Sequence, residues 1–105
     1  MIEEGSEFAL PKLLAEGRKF DFALIDSWHT FDHALLEFYF INRMLDLGGV
    51  VVFDDAQFPA VRRVIKYVSN YPAYRIVETP PPLRTMVALS KVAEDQRRWD
   101  WYADF

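Results

Sequence analysis

Two apolar runs in this chain each end in acid. Phe22-Ala-Leu-Ile leads into Asp26-Ser-Trp-His29, and Gly49-Val-Val-Val-Phe leads into Asp54-Asp55. Neither run alternates polar with apolar residues. Each therefore reads as a short buried strand of a parallel sheet covered on both faces. In such sheets the ligand site lies just beyond the carboxyl ends of the strands. Both runs thus deliver carboxylates to one edge, Asp26 from the first and Asp54 and Asp55 from the second. Three acids gathered there repel one another unless they share a cation or a proton.

The remaining pattern alternates helix and strand. Residues 7–16 read as a short helix capped by Ser6 and ended by Gly17, with Pro11 able to push its start towards Leu10. The first strand is Phe20 to Asp26. From Phe31, the apolar positions Phe31, Ala34, Leu35, Phe38, Ile41 and Leu45 keep helical spacing, interrupted by the polar Asn42. Thr30 suits the N-cap, Asp32 suits the first turn, and Gly48-Gly49 reads as the stop. The next strand is Val50 to Phe53. A third helix opens near Pro59, with Val61, Val64, Ile65 and Val68 on one face and Arg62, Arg63 and Lys66 on a solvated one. Asn70 and Pro72 end it.

Tyr74 to Glu78 and Thr85 to Ser90 read as strands, separated by Pro80-Pro81-Pro82. That connection is too short for a crossover helix, so the pair should be antiparallel. The tail, residues 92–105, carries Trp99, Trp101, Tyr102 and Phe105 and reads as core cover. The whole, residues 1–105, reads as a single α/β domain. Its sheet has two parallel strands with crossover helices, then an antiparallel terminal pair.

Composition narrows the function. The chain is 51% hydrophobic and 16% aromatic, so a folded globule is expected rather than disorder. Its formal net charge is −4 with scattered Lys and Arg, which leaves no basic footprint for nucleic acid. The absence of cysteine excludes disulfides and thiolate metal sites and agrees with a cytoplasmic setting. No apolar stretch approaches the roughly 20 residues of a membrane span. Met-Ile-Glu-Glu at the start does not resemble a signal peptide.

Taken in order, Asp26-Ser-Trp-His29 closing a strand, an amphipathic helix, Leu47-Gly-Gly and a strand ending in Asp54-Asp55 resemble the second half of class I S-adenosylmethionine-dependent methyltransferases. Among these, the set looks most like the metal-dependent O-methyltransferases of the catechol type and their bacterial relatives. Gly5-Ser6-Glu7 with Leu10-Pro11 resembles the loop and helix that pass the cofactor's adenine. The resemblance runs from about residue 4 to residue 91, and the antiparallel terminal pair belongs to it. That family also carries a glycine-rich turn and a ribose-gripping acid upstream. Here the glycines are Gly5, Gly17, Gly48 and Gly49, and no Gly-x-Gly occurs. The resemblance therefore implies a partial Rossmann-like sheet lacking the N-terminal cofactor-binding half, with turnover by this chain alone not expected.

By the same resemblance, Asp26, Asp54 and Asp55 match metal ligands for Mg²⁺ or a similar divalent cation. His29 falls where the catechol enzymes carry a lysine general base. Gly5, Ser6, Glu7, Ser27 and Trp28 match positions lining S-adenosylmethionine, and the acceptor is a small-molecule hydroxyl. Each position has a structural alternative. Asp55 or its neighbour could cap the helix near Pro59, and His29 could be a solvent-facing residue at the start of a helix. Ser6 could be only an N-cap, and Trp28 only a core residue. His33 reads as surface.

Two functions remain. One is the substrate- and metal-binding half of an O-methyltransferase. The other is a non-catalytic α/β module that self-associates, because strand 20–26 would lack its usual neighbour and leave an apolar edge open. The second reading predicts a homodimer with these strands side by side across a two-fold axis. A phospho-acceptor receiver domain is disfavoured, since it needs its acidic pair on the first strand. A dinucleotide-dependent oxidoreductase is disfavoured for want of a glycine fingerprint.

Overall fold

The computed structural model describes the backbone of residues 6–25, 30–77 and 85–105, and side chains from Ala9 onward within those spans. Helix α1 spans Ser6–Ala15, with Pro11 inside it. Ser6 lies within the helix rather than before it. The backbone bond missing at Pro11 is tolerated because Ala9 and Leu10 are buried, and α1 packs on the next helix. Gly17 ends the helix as expected. It takes a left-handed φ of 72° and donates to the Leu14 carbonyl at 3.0 Å, while Arg18 donates to Leu13 at 3.1 Å. This is the paired closure that a left-handed residue permits after a helix.

Strand β1 (Phe20–Ile25) leads to α2 (Phe31–Met44). Thr30 caps α2 as anticipated, its hydroxyl accepting the His33 N–H at 3.4 Å. The helix stops well before the two glycines, because distant lysines satisfy its last carbonyls. Lys91 Nζ donates to the Asn42 and Leu45 carbonyls at 2.7 and 2.9 Å, and Lys19 Nζ to that of Arg43 at 3.2 Å. Strand β2 (Leu45–Phe53) begins at once. The glycines serve this strand. The β1–β2 register jumps from Phe20↔Leu45 to Phe22↔Val50, so residues 46–49 form an excursion. Gly48 turns it with a φ of 82°. A side chain at Gly49 would come within 2.8 Å of the Asp46 carbonyl oxygen.

Helix α3 (Pro59–Val68), strand β3 (Tyr74–Val77) and strand β4 (Val87–Lys91) complete the set. The sheet order is β1-β2-β4-β3, with β1–β2 parallel and both other pairings antiparallel. The fold is therefore α/β, a partial Rossmann-like sheet of the expected kind. Strand β4 starts two residues later than the sequence pattern implied, and the Thr85 carbonyl instead accepts from Ala56 N–H at 2.8 Å. Residues 80–82 lie outside the described set.

Ile25, Val51, Phe53 and Leu89 point into one core with Ala34, Phe38 and Ile41 of α2 and Val61, Val64 and Val68 of α3. Phe38 is its centre, with ring centroids 5.9, 5.5 and 5.1 Å from Phe53, Tyr71 and Tyr74. The opposite sheet face is equally apolar in sequence. Among the described residues it is less well covered, with Val50 and Val52 half-buried and Phe22 59% and Leu24 48% exposed. The two-sided burial expected from those runs is met on one side only within the described residues.

Candidate functional site

The carboxyl ends of β1 and β2 are stitched together. Ile25 pairs with Phe53, and beyond that pair the Asp54 N–H donates to the Ile25 carbonyl at 3.0 Å. The parallel ladder thus carries the first acid of β2 to the point where β1 ends. Asp26, Ser27, Trp28 and His29 follow Ile25 in sequence and lie outside the described residues. So do Gly5 and the side chains of Ser6 and Glu7, whose backbone opens α1.

At the end of β2 the backbone turns sharply. Asp55 has a φ of 56°, the left-handed value found at no other non-glycine among the described residues. Aspartate tolerates that region better than most residues, and such conformations concentrate where a side chain must be aimed at a ligand. Asp54 Oδ1 accepts the Asp55 N–H at 2.8 Å, and the Asp55 carbonyl accepts from Phe58 N–H at 3.0 Å. Both acids are half-buried. The N-cap of α3 is Phe58, without a side-chain cap bond, and no acid lies in that helix's first turn.

Chemically, this edge offers oxygen donors at the mouth of two parallel strands, the donor type hard divalent cations take. Among the described residues no group of three or more metal-ligating side chains assembles. The third acid of the set expected from sequence, Asp26, falls outside them.

A second polar cluster lies at the other end of the sheet, and sequence reasoning did not anticipate it. Lys91 closes β4 at the amino end of β2 and is only 4% exposed. Its neighbour Asn42 donates to Asp95 Oδ2 at 2.8 Å and accepts from the Tyr74 hydroxyl at 2.7 Å. Arg97 clasps Asp95 with two bonds of 2.7 Å. Those Arg97 bonds, aided by Asn42, hold the Asp95 carboxyl down at about 2. Burial pushes the Tyr74 phenol well above its ordinary value, and the negative charge of Asp95 adds to the rise. A cleft of about 270 Å³ opens here, lined by Asn42, Arg43, Lys91, Glu94 and Asp95. Asn42, Lys91 and Asp95 are already committed to partners, so the cluster reads as a structural clasp. The signal for it was the lone asparagine in the apolar stripe of α2.

Two sequence readings of single residues change. His33 is half-buried rather than surface, with Nδ1 3.3 Å from Glu37 Oε1 one turn on. Arg63 is not simply solvated, because its guanidinium lies 4.8 Å from the Phe105 ring centroid. No helix among the described residues is long and apolar enough to cross a membrane.

A family model described as a methyltransferase domain matches residues 1–56, just over half of the chain. The matched span ends immediately after Asp54-Asp55 and contains every candidate site residue named above. No curated protein matches the chain.

Proposed function

Because the chain belongs to the methyltransferase domain family, we propose that the edge formed by β1 and β2 is the metal- and acceptor-binding corner of a S-adenosylmethionine-dependent O-methyltransferase of the catechol type. The observation that carries this reading is the left-handed Asp55 beside Asp54, whose own N–H is bonded to the last residue of β1. Asp26, Asp54 and Asp55 would hold a divalent cation such as Mg²⁺, and Gly5, Ser6, Glu7, Ser27 and Trp28 would line the cofactor. Bound at such a corner, a divalent cation lowers the pKa of an acceptor hydroxyl. His29, three residues beyond Asp26 in the sequence, would accept the proton as that oxygen takes the methyl group from the cofactor's sulfonium, whose S–CH3 bond breaks to leave a neutral thioether. These 105 residues contain no glycine-rich turn, so turnover is proposed for this corner together with a segment that supplies one.

Isothermal titration of the chain with S-adenosylmethionine, with and without Mg²⁺, tests the reading. Metal-enhanced binding supports it, as does Mg²⁺ uptake that is lost in Asp54→Ala. Silence in both titrations removes it.

A second reading has its own observation. Strand β1 is an edge of the sheet among the described residues, and its exposed Phe22 and Leu24 make that edge apolar. Such edges template further pairing. Under this reading the chain is a self-associating module, a homodimer through residues 20–26. A monomer by sedimentation at micromolar concentration contradicts it.

A further inference from the structure

Residues 92–105 form neither helix nor strand, yet they are bound along their length. Val92 N–H donates to the Ala73 carbonyl at 2.7 Å, and Asp95 is gripped by Asn42 and Arg97. The Arg97 guanidinium lies 3.7 Å from the Tyr71 ring centroid, and the Trp101 ring sits 5.3 Å from Tyr71 and 6.0 Å from Tyr67. The segment then reaches Phe105. That ring stacks on Phe31 at 5.8 Å with an interplanar angle of 5°, and lies 4.9 Å from Tyr67. Arg63 covers it and donates to its backbone carbonyl. From Asn42 to Phe31 is roughly 16 Å of helix at 1.5 Å per residue. The segment therefore spans α2 from its last turn to its first residue, touching α3 on the way.

We propose that this segment is a strap, with Phe105 a positioning residue that holds the first residue of α2 against the second half of α3, at Arg63 and Tyr67. The inference rests on the functional reading above, for one reason. Phe31 opens the helix that follows the β1 end, and α3 is the helix that follows Asp54 and Asp55. Fixing those two helices against each other fixes the start of α2 relative to the turn at Asp54 and Asp55 that leads into α3. Binding and catalytic constellations must be held within about 0.5 Å of their productive geometry, so the spacing of the carboxylates governs what they can bind. Simple core cover would not require a stacked ring at one end and a charge clasp at the other.

The test has two arms on the 105-residue chain. In Phe105→Ala, amide hydrogen exchange should quicken by about tenfold or more at Ala34–Phe38 and Arg62–Lys66, leaving the β2–β4 ladder unchanged. Uniform acceleration, or none, overturns the strap. In the second arm, Mg²⁺ alone is titrated calorimetrically. Phe105→Ala should weaken its binding by about tenfold, and Phe105→Tyr, which keeps the ring, should restore it. Local exchange with unchanged Mg²⁺ affinity overturns the positioning role and leaves a purely structural strap. A wild-type chain that takes up no Mg²⁺, alone or with S-adenosylmethionine, sinks the functional reading and the positioning role with it, while the exchange arm still decides the strap.

Discussion

The two ends of the sheet are both polar and differ in what their polar groups do. At the β4 end, Lys91, Asn42, Asp95, Arg97 and Tyr74 satisfy one another, and Lys91 doubles as the cap for the end of α2. At the β1–β2 end, Asp54 and Asp55 sit half-buried on a turn that holds one of them in a left-handed conformation. The first arrangement removes charge from further chemistry by pairing it. The second presents carboxylates at the edge where parallel sheets bind ligands. Polar residues at one end therefore hold the fold, and those at the other are the ones proposed above to meet a ligand.

Substitutions can break or sharpen that contrast. The largest effect is expected from Lys91→Met, which keeps the buried stem and strands two carbonyls at the end of α2. A loss of about 3 kcal/mol in urea unfolding is expected. Asp95→Ala should cost about 1–2 kcal/mol, since its partners are partly solvated. Asp95 also makes the clasp acid-sensitive. Its folded value is depressed from 3.8 to about 2, so its contribution is whole above pH 4 and fades as pH falls towards 2. Asp95→Asn should remove that part of the acid transition.

Tyr74→Phe should cost about 1 kcal/mol at neutral pH through the lost bond to Asn42. The sign at high pH is opposite to that of Asp95. The phenol is held neutral in the folded chain, so wild-type stability should fall as pH rises above about 10, and Tyr74→Phe should blunt that fall. The smallest effect belongs to the other end. Asp54→Ala should cost no more than about 1 kcal/mol of unfolding free energy, through the lost bond to Asp55 N–H, while abolishing ligand uptake. A large stability loss there would place Asp54 with the structural residues.

Much of this was legible in the sequence because it is local. An apolar run ending in acid fixes where a strand stops, and Thr30, Gly17 and the Val61–Val68 stripe act within a turn or two of themselves. The end of α2 was not legible, since the lysine that caps it lies 46 residues from Leu45 in the chain. Gly48-Gly49 looked like a helix stop and proved to be an excursion within β2, a distinction set by pairing with β1. Asn42 was visible as an interruption in an apolar stripe, but its partners Asp95 and Tyr74 come from distant segments. The aromatic tail showed its composition and not its path, because the anchors of Phe105 are on two different helices. At the candidate site, Asp54 and Asp55 stand where the pattern put them, and Asp26 to His29 lie outside the described residues.

The most direct test of the central claim is to locate a bound cation by NMR, following amide broadening as the paramagnetic Mn²⁺ is added to the chain in place of Mg²⁺. Selective broadening is expected at residues 23–25 and 53–56, lost in Asp54→Ala. Broadening centred instead on Glu94 and Asp95, at the opposite end of the sheet, would contradict it.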